Sequence, residues 1–381
     1  MRSNEALRSG VALRWRTVSV AVKTSDTVDG RGYRVAPSCS RRSWSLISLR
    51  VASTLTLALI VAIAPKVAAA EEFSLTPGQS IVGKVTSYVT RRRDTLLDIA
   101  VNDDLGYTQL VAANKGINPW LPGPGRRIVI PNSYLVPDVP RRGIVINLAQ
   151  QRLFYFPRGS RAVQTFPIGI GVVGRSTPLG DTRVVDKQVG PTWYPTPSMR
   201  AEDPSLPKMV PPGPDNPLGD YALALGWPDY LIHGTNKPYG IGRMVSNGCI
   251  HLYPADIASL FEEVAVGTPV RVISETVETA WSGGALYVAV FPDKTQTAAL
   301  DAERRFMPAI PPNLVQRVLD AAGGRVNRVD WHAVTRAGTE RTGVPVRITP
   351  SVTAWREQGP NATQAARGFA LNRTTRTPRP Q

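Results

Sequence analysis

Cysteine is nearly absent from this chain of 381 residues, which contains only Cys39 and Cys249. Small disulfide-rich scaffolds are therefore excluded, because they need several paired cysteines. If an N-terminal leader carrying Cys39 is removed, one cysteine remains and no disulfide can form within the chain. An unpaired thiol in an exported protein indicates either pairing with a second chain or a reactive thiol.

Acidic residues are also scarce, since 29 Asp and Glu stand against 45 Lys and Arg, a net charge of +16. Such a surface favours an anionic partner. Nucleic acid, acidic lipid and acidic cell-wall polymer all meet this condition, and charge alone does not choose among them. The hydrophobic fraction of 42% is enough to build cores.

Long hydrophobic runs are missing as well, apart from one uncharged stretch at 51–64. This stretch is shorter than the roughly 20 residues that a membrane-spanning helix needs. Basic residues at 41–50 precede it and small residues ending at Ala70 follow it, which is the pattern of a secretory signal peptide. We predict a signal peptide and lead-in at 1–70, cleaved after Ala70, and the alternative is an uncleaved anchor. Export disfavours nucleic acid as the partner.

A compact unit is predicted at 87–132. The polar pair at 94–95 suits the start of a first helix with apolar positions at 96–100. A second helix carries apolar residues at 110–113, and a closing strand is predicted at 128–130. The unit is therefore small and of the α+β class, with the order strand, helix, helix, strand.

This order resembles a LysM domain, a module that binds glycans containing N-acetylglucosamine. The residues that carry the resemblance are Tyr88, D-T-L at 94–96, I-N-P at 117–119 and I-P at 130–131. Arg93 stands where the family usually has glycine, which bears on the first turn and on glycan binding. The alternative is a packing module without affinity for glycans.

A larger, mostly β domain is predicted at 142–275, after a short lead at 71–86 and a Pro-rich linker at 132–141. Short alternating segments, punctuated by Gly and Pro, are typical of a β-sandwich or barrel. One helix at 254–264 and a last strand at 267–273 complete the domain.

A C-terminal extension follows at 276–350, with a predicted strand at 286–291 and a predicted helix at 313–322. Residues 351–381 are rich in Arg, Thr and Asn and contain few core residues. This composition predicts a basic disordered tail.

The segment V-S-N-G-C-I-H-L-Y-P, 245–254, surrounds Cys249 and leaves three interpretations. A buried structural cysteine is the first, but Ser, Asn and Gly before it indicate a polar turn. A metal site with His233 and His251 is the second, although catalytic zinc normally has three protein ligands and a tighter spacing. A thiolate nucleophile is the third, and it needs a base within reach. His233 at a predicted strand end is the candidate base, and the amides of Gly248 and Cys249 are candidate oxyanion donors.

The third interpretation gains from a resemblance. H-G-T at 233–235 and S-N-G-C-I at 246–250 resemble the L,D-transpeptidase catalytic domain, also called the YkuD domain, with further matches at 177–180 and 216–219. The resemblance implies a β-sandwich with a helix after the cysteine segment. A signal peptide, a LysM-like unit and this domain together are similar to Gram-negative periplasmic members, which implies a periplasmic location.

The resemblance also implies catalytic roles. Cys249 would attack the carbonyl of the third stem-peptide residue of peptidoglycan, usually meso-diaminopimelate, D-alanine would leave, and an amine would resolve the thioester. His233 would be the general base, the carbonyl of Gly234 would orient it, and Ser246 and Gly248 would shape the turn. No cofactor and no metal is expected.

Substrate binding is assigned to Arg243, Asn247, Thr235 and His251. The family signature is often S-H-G-C-x-R, whereas this chain has Asn247 for the histidine and His251 for the arginine. The chain thus lacks a permanently charged, fork-shaped partner for a carboxylate at that position. We expect His251 to take the place of this arginine.

Several functions remain open. A papain-like endopeptidase is disfavoured because its cysteine precedes its histidine in the chain. A non-catalytic peptidoglycan-binding protein, and an L,D-carboxypeptidase or endopeptidase that uses water, are the alternatives. The acceptor is a stem peptide in a 3-3 crosslink, a lysine of an outer-membrane lipoprotein, a free D-amino acid or water.

Overall fold

The computed structural model describes residues 72–302 and 309–350. The predicted signal peptide with Cys39, and the predicted tail at 351–381, lie outside the described residues. Among the helices of the described ranges, none combines the length and apolar character needed to cross a membrane.

The N-terminal part contains the predicted order of strand, helix, helix and strand. The first helix begins after Thr95, whose hydroxyl accepts a hydrogen bond from the amide of Asp98 at 3.0 Å. That bond satisfies one of the free amides of the first turn. Whether this unit is a glycan-binding LysM domain stays a prediction. In chain order the elements are β1 (Glu72–Ser74), β2 (Ile81–Gly83), β3 (Thr86–Val89), α1 (Leu96–Asn102), α2 (Tyr107–Ala113), β4 (Arg127–Ile130) and β5 (Ser133–Leu135).

The predicted lead and linker on either side of this unit were wrong. The lead supplies β1 and β2, and the linker supplies β5, which pairs antiparallel with β2. Tyr134, Leu135 and Val136 are buried, so this segment is part of a core. Prolines that flank the short apolar stretch concealed it in the sequence.

The mostly β class is confirmed. The catalytic part contains β6 (Gly143–Asn147), β7 (Arg152–Phe156), β8 (Ala162–Pro167), β9 (Ile170–Gly171), β10 (Gly180–Val189), α3 (Pro197–Glu202), β11 (Tyr221–Leu225), β12 (Leu231–His233), a 3-10 turn (Pro238–Gly240), β13 (Met244–Ser246), β14 (Ile250–His251), α4 (Pro254–Glu263) and β15 (Pro269–Ile273).

One nine-stranded sheet has the order β1-β8-β7-β6-β15-β10-β11-β12-β14, and β13 pairs separately with β9. Strand β10 pairs with β15 before a bulge at Val184/Asp186 and with β11 mainly after it, so it belongs to both halves of the sheet. Gly169, just after β8, bridges to His251 in the last strand. The sheet therefore curls until its two ends approach each other, and it encloses the core as a folded-over sheet, within the predicted choice of a β-sandwich or barrel.

The core inside this curled sheet draws on both ends of it. Phe166 and Ile168 come from one end, and Ile232 and Ile250 come from the other, with Leu260 of α4 packed among them. Because neighbouring strands bury apolar side chains on one shared face, the strand that ends at His233 is held rigidly.

The C-terminal part forms a small α+β unit of its own. It contains a three-stranded sheet in the order β16-β17-β18, and its strand and helix near 286–291 and 313–322 lie where they were predicted. Its elements are β16 (Val277–Ser282), β17 (Ala285–Val290), α5 (Lys294–Ala302), α6 (Leu314–Ala322), a 3-10 helix (Gly323–Arg328), α7 (Trp331–Glu340) and β18 (Val346–Arg347).

The N-terminal unit is joined directly to the catalytic part. The amides of Tyr107 and Thr108, at the start of α2, donate to the carbonyls of Ile241 and Gly242 at 3.2 and 3.1 Å. The Thr108 hydroxyl adds a 2.7 Å bond to the Gly242 carbonyl. Gly106 and Gly242 approach so closely that a Cβ on Gly242 would lie 2.2 Å from the Cα of Gly106. The loop that precedes β13 is therefore fixed by the N-terminal unit.

Candidate active site

The strands β12 and β14 bring the predicted cysteine and histidines together. They pair in parallel, with His233 opposite His251, and the two imidazole centroids are 4.4 Å apart. Cys249 directly precedes β14, two residues before His251. Positions two apart along an extended chain share a face, so the thiol and both imidazoles belong to the same side of this sheet edge.

His233 is oriented by a backbone carbonyl. Its Nδ1 lies 2.7 Å from the oxygen of Gly234, and a carbonyl can only accept, so Nδ1 carries the proton and Nε2 keeps its lone pair. Only 3% of His233 is exposed. Burial, and secondly the nearby His251, hold the pKa of His233 well below its usual value, against the opposing effect of the carbonyls of Gly234 and Leu218. The ring is therefore neutral and basic at Nε2 at neutral pH.

Cys249 is partly buried and is held as a thiol. Its Sγ donates to the carbonyl of Asp229 at 3.5 Å. Burial raises the pKa of this thiol, and the negative charge of Asp229 raises it further. A backbone hydrogen bond from Leu231 acts in the opposite direction and lowers the pKa. Within the described ranges, no hydrogen bond joins Sγ to an imidazole. In this resting arrangement the Asp229 carbonyl is the acceptor for the thiol.

A hydroxyl closes the turn before Cys249. Ser246 Oγ donates to the carbonyl of Cys249 at 2.6 Å and accepts from the amide of Gly248 at 3.1 Å. Gly248 has a φ of 109°, and a Cβ there would lie 2.8 Å from the ring of Tyr230, so the turn requires glycine. The hydroxyl of Thr177 donates to the Gly248 carbonyl at 2.7 Å.

The oxyanion prediction is corrected by these contacts. The Gly248 amide is already bonded to Ser246 and does not face a substrate. Of the two predicted amides, that of Cys249 is the one left for a developing oxyanion.

Arg243 does not face the site as predicted. Its Nε donates to Asp301 Oδ1 at 2.6 Å, and its guanidinium lies 5.5 Å from the ring centre of Tyr107. Both partners of the ion pair are largely buried. Arg243 therefore connects β13 to α5 and to the N-terminal unit, and Asp301 occupies the guanidinium that was predicted to contact a substrate carboxylate.

His251 and Thr235 also differ from the prediction. Burial lowers the pKa of His251 to about 4, so at neutral pH it cannot replace the positive charge of an arginine. Thr235 is buried, and its hydroxyl accepts from the amide of Lys237 at 2.9 Å. Its described hydrogen bond thus stabilises the turn after His233.

Asn247 is exposed and introduces a residue that the sequence did not single out. Its Oδ1 accepts a hydrogen bond from Nη1 of Arg175, whose Nη2 forms an ion pair with Glu202. Arg175 stands two residues before the T-P-L-G motif at 177–180, which was a signal for the loop. The contact itself joins positions 72 apart in the chain, and no local pattern reveals it.

Metal-ligand geometry was also inspected over the described part of the chain. There, no group of three His, Cys, Asp or Glu side chains is arranged to hold a metal ion. The chemistry offered by the described residues is that of a thiol next to a neutral imidazole, which is suited to acyl transfer.

Known proteins share this arrangement of motifs. The family described as the L,D-transpeptidase catalytic domain, YkuD, matches residues 141–272. The chain is 39% identical over 281 residues to the probable L,D-transpeptidase YbiS of Escherichia coli strain K12, covering 72% of this chain and 90% of that protein. It is 38% identical over 279 residues to the probable L,D-transpeptidase ErfK/SrfK of the same strain, covering 71% and 87%.

Solved structures of L,D-transpeptidases match over a smaller region. L,D-transpeptidase 1 of Mycobacterium tuberculosis is 22% identical and covers 39% of this chain and 67% of that one, with a TM-score of 0.26. The sequence relatives carry the assignment, because they align over nearly all of their own length. The prediction from the motifs at 233–235 and 246–250 is confirmed: the chain belongs to the L,D-transpeptidase family of acyltransferases.

Proposed function

We propose that this enzyme acts on the stem peptides of peptidoglycan through a thioester on Cys249. The observation that carries the proposal is the parallel pairing of β12 with β14. This pairing puts the buried imidazole of His233, whose Nδ1 bonds to a carbonyl, beside the strand that directly follows Cys249. Membership of a family that acts on peptidoglycan supports the substrate.

Acylation begins when the thiol leaves the Asp229 carbonyl and turns toward Nε2 of His233. Nε2 takes the thiol proton while Sγ attacks the carbonyl carbon of the third stem residue, and the charge passes to the carbonyl oxygen. We infer that the amide of Cys249 stabilises that oxyanion. The C–N bond then breaks, the imidazolium protonates the departing D-alanine amine, and a thioester remains.

Deacylation reverses these roles. An acceptor amine attacks the thioester carbonyl and gives its proton to His233, and the thiol is restored when the C–S bond breaks. A stem peptide as acceptor gives a 3-3 crosslink, a lipoprotein lysine gives an anchored protein, and a D-amino acid gives exchange. Water gives hydrolysis, the activity of an L,D-carboxypeptidase.

The periplasm is the proposed location, because the pattern at 1–70 is that of a signal peptide. We also infer that the unit at 87–132 holds the glycan strand that carries the stem peptide. The bonds from α2 to Ile241 and Gly242 support a joint role, because they couple this unit to the loop before β13.

A purified disaccharide tetrapeptide tests the proposal. We expect the wild-type enzyme to release D-alanine and to show a transient adduct with the mass of the disaccharide-tripeptide acyl group on the peptide that contains Cys249. The variant Cys249→Ala, which removes one sulfur atom from a partly buried position, should release none while keeping its melting temperature.

Undiminished D-alanine release by Cys249→Ala would refute the cysteine mechanism. Products identify the acceptor in the same experiment, since a crosslinked dimer indicates a stem peptide and a free tripeptide indicates water. A folded wild-type protein that releases no D-alanine would favour the alternative of a non-catalytic wall-binding protein.

A further inference from the structure

The donor stem peptide carries carboxylates, so a site that binds it needs a cation near Cys249. This step rests on the proposed function. His251 is neutral at neutral pH, because burial lowers its pKa to about 4. Arg243 is bound by Asp301. Of these two predicted partners for a substrate carboxylate, His251 is uncharged and Arg243 already holds an aspartate.

Arg175 is the guanidinium that the fold brings to the turn. Its Nη1 donates to Oδ1 of Asn247, two residues before the nucleophile. Its backbone is fixed by a 3.0 Å bond from its amide to the carbonyl of Val172. Its own carbonyl oxygen would lie 3.5 Å from a Cβ on Gly248, so its loop packs against the turn that holds Cys249.

Glu202 already presents a carboxylate to this guanidinium. It is the last residue of α3 and forms an ion pair with Nη2 of Arg175. The side chains are 40% and 55% exposed, and an ion pair that is this open to solvent contributes little to stability. A substrate carboxylate can therefore displace Glu202 at little cost, and it would find a fork of donors that matches its shape.

We propose that Arg175 binds a carboxylate of the donor stem peptide and thereby positions the peptide over Cys249. Glu202 occupies the guanidinium in the empty enzyme and keeps it in place. Asn247, which stands where the family often has histidine, holds Nη1 of the guanidinium and leaves Nη2 to the carboxylate. The chain thus supplies from the β9–β10 loop the charge that its signature lacks at position 251.

Steady-state release of D-alanine measures this role. We expect Arg175→Met to raise KM by about 10- to 100-fold, the loss of charged hydrogen bonds, while kcat changes less than about threefold. Arg175→Lys keeps the positive charge but loses the paired donors of the guanidinium. Its KM should therefore lie between those of the wild type and of Arg175→Met. Glu202→Gln removes the competing carboxylate, and its KM should be equal to or lower than that of the wild type.

The control is Lys294→Met. Lys294 Nζ donates to Ser176 Oγ at 2.9 Å, so this variant removes one positive charge next to the same loop without touching Asn247. Its KM should stay within about twofold of the wild-type value, whereas a loss equal to that of Arg175→Met would show a general charge effect and overturn the proposal.

Amidated substrates identify the carboxylate. A tetrapeptide amidated at its C-terminus and one amidated on the side chain of the third residue are compared with the acid form. For the carboxylate that Arg175 binds, amidation should abolish the difference between wild type and Arg175→Met. If the difference survives both amidations, or if Arg175→Met has the wild-type KM, the proposal is refuted. An inactive wild-type enzyme would instead refute the proposed function.

Discussion

A neutral carbonyl holds the ring of His233, and no carboxylate among the described residues bonds to it. The Gly234 oxygen fixes which nitrogen carries the proton, but it stabilises the imidazolium less than a carboxylate does. Together with burial this keeps the pKa of His233 low, so the base is unprotonated at the pH of the reaction. The ring is suited to take a proton from a thiol and to release it quickly to the leaving amine.

Alkylation of Cys249 by iodoacetamide should follow a high pH midpoint. Burial raises the pKa of the thiol, and the charge of Asp229 adds to this effect, so the thiolate forms only above the ordinary range of cysteine, about pH 8.5. We expect the rate of alkylation to keep rising above that pH. Stopped-time mass spectrometry of the protein gives the rates.

Asp229→Asn tests the electrostatic part of this prediction. Asp229 has a φ of 66°, a conformation that asparagine tolerates, so the variant removes the charge with little strain. Its alkylation midpoint should shift to lower pH. A wild-type midpoint below pH 7 would mean that Cys249 rests as a thiolate, contrary to the structure.

At this scale the sequence pointed to the candidate reacting groups, which the structure brings to one sheet edge, but not to the state of their charges. Cys249, His233 and the Gly234 carbonyl were found from motif and order in the chain. The neutrality of His251 depends on burial between strands, and the pairing of Arg243 depends on Asp301, which lies 58 positions away. Both are tertiary effects that have no local signature.

Among the elements, α2 connects two parts of the molecule through its first turn. The first amides of every helix lack partners within the helix, and in α2 two of them bond to carbonyls of the loop before β13. Gly242 makes this possible, since it has a φ of 72° and lies against Gly106. A side chain at Gly242 would force these backbones apart.

We therefore expect Gly242→Ala to destabilise the protein more than a matched glycine variant. Gly116→Ala serves as the match, because Gly116 has a φ of 80° but no atom within 4 Å of its missing Cβ. Both variants bear the cost of a left-handed residue, about 1 to 2 kcal/mol. Gly242→Ala should lose roughly 1 to 3 kcal/mol more through the clash.

Urea denaturation measures both variants, and D-alanine release shows whether the loop before β13 has moved. Equal losses of unfolding free energy in the two variants would contradict the close contact between Gly242 and Gly106.

The longer helices and strands could be predicted from the sequence because their apolar residues recur at a regular spacing. Helices α4 and α6 and strands β6, β7 and β17 lie where alternating or helical patterns predicted them. Strands β1, β2, β5 and β14 were not predicted, since two or three residues are too few to show a period and they are defined by their partners.

At the scale of the whole molecule, one of the contacts between the catalytic part and the extension is made by a buried carboxyl group. Glu278 of β16 is 2% exposed, and its Oε1 accepts from Nδ2 of Asn147 at 3.1 Å. Asn147 also bonds to both the amide and the carbonyl of Glu275. Burial raises the pKa of Glu278 to about 8.

Stability should therefore fall as the pH rises. The folded pKa of Glu278 lies above its unfolded value, so its contribution is complete below about pH 4.5 and is lost as the pH passes 8. Glu278→Gln keeps an acceptor for Asn147 and cannot ionise. The unfolding free energy of the variant minus that of the wild type should therefore be larger at pH 8.5 than at pH 5, by roughly 4 kcal/mol.

Urea denaturation at the two pH values gives this difference. Glu262→Gln, on the exposed side of α4, controls for the loss of one negative charge. A Glu278→Gln protein whose stability runs parallel to wild type at both pH values would show that this carboxyl is ionised in the folded state.

The order of strands in the nine-stranded sheet also determines when it can form. Strand β15 lies fifth of the nine in space but is the last of them along the chain. Until Pro269–Ile273 has emerged during synthesis, β6 and β10 each leave an unpaired edge, and such edges favour aggregation. Folding from the N-terminus onward is thus blocked at the middle of the sheet, and the pairing of β6 with a strand so distant in sequence makes closure slow. For the export that we propose, this delay extends the time in which the chain is still unfolded.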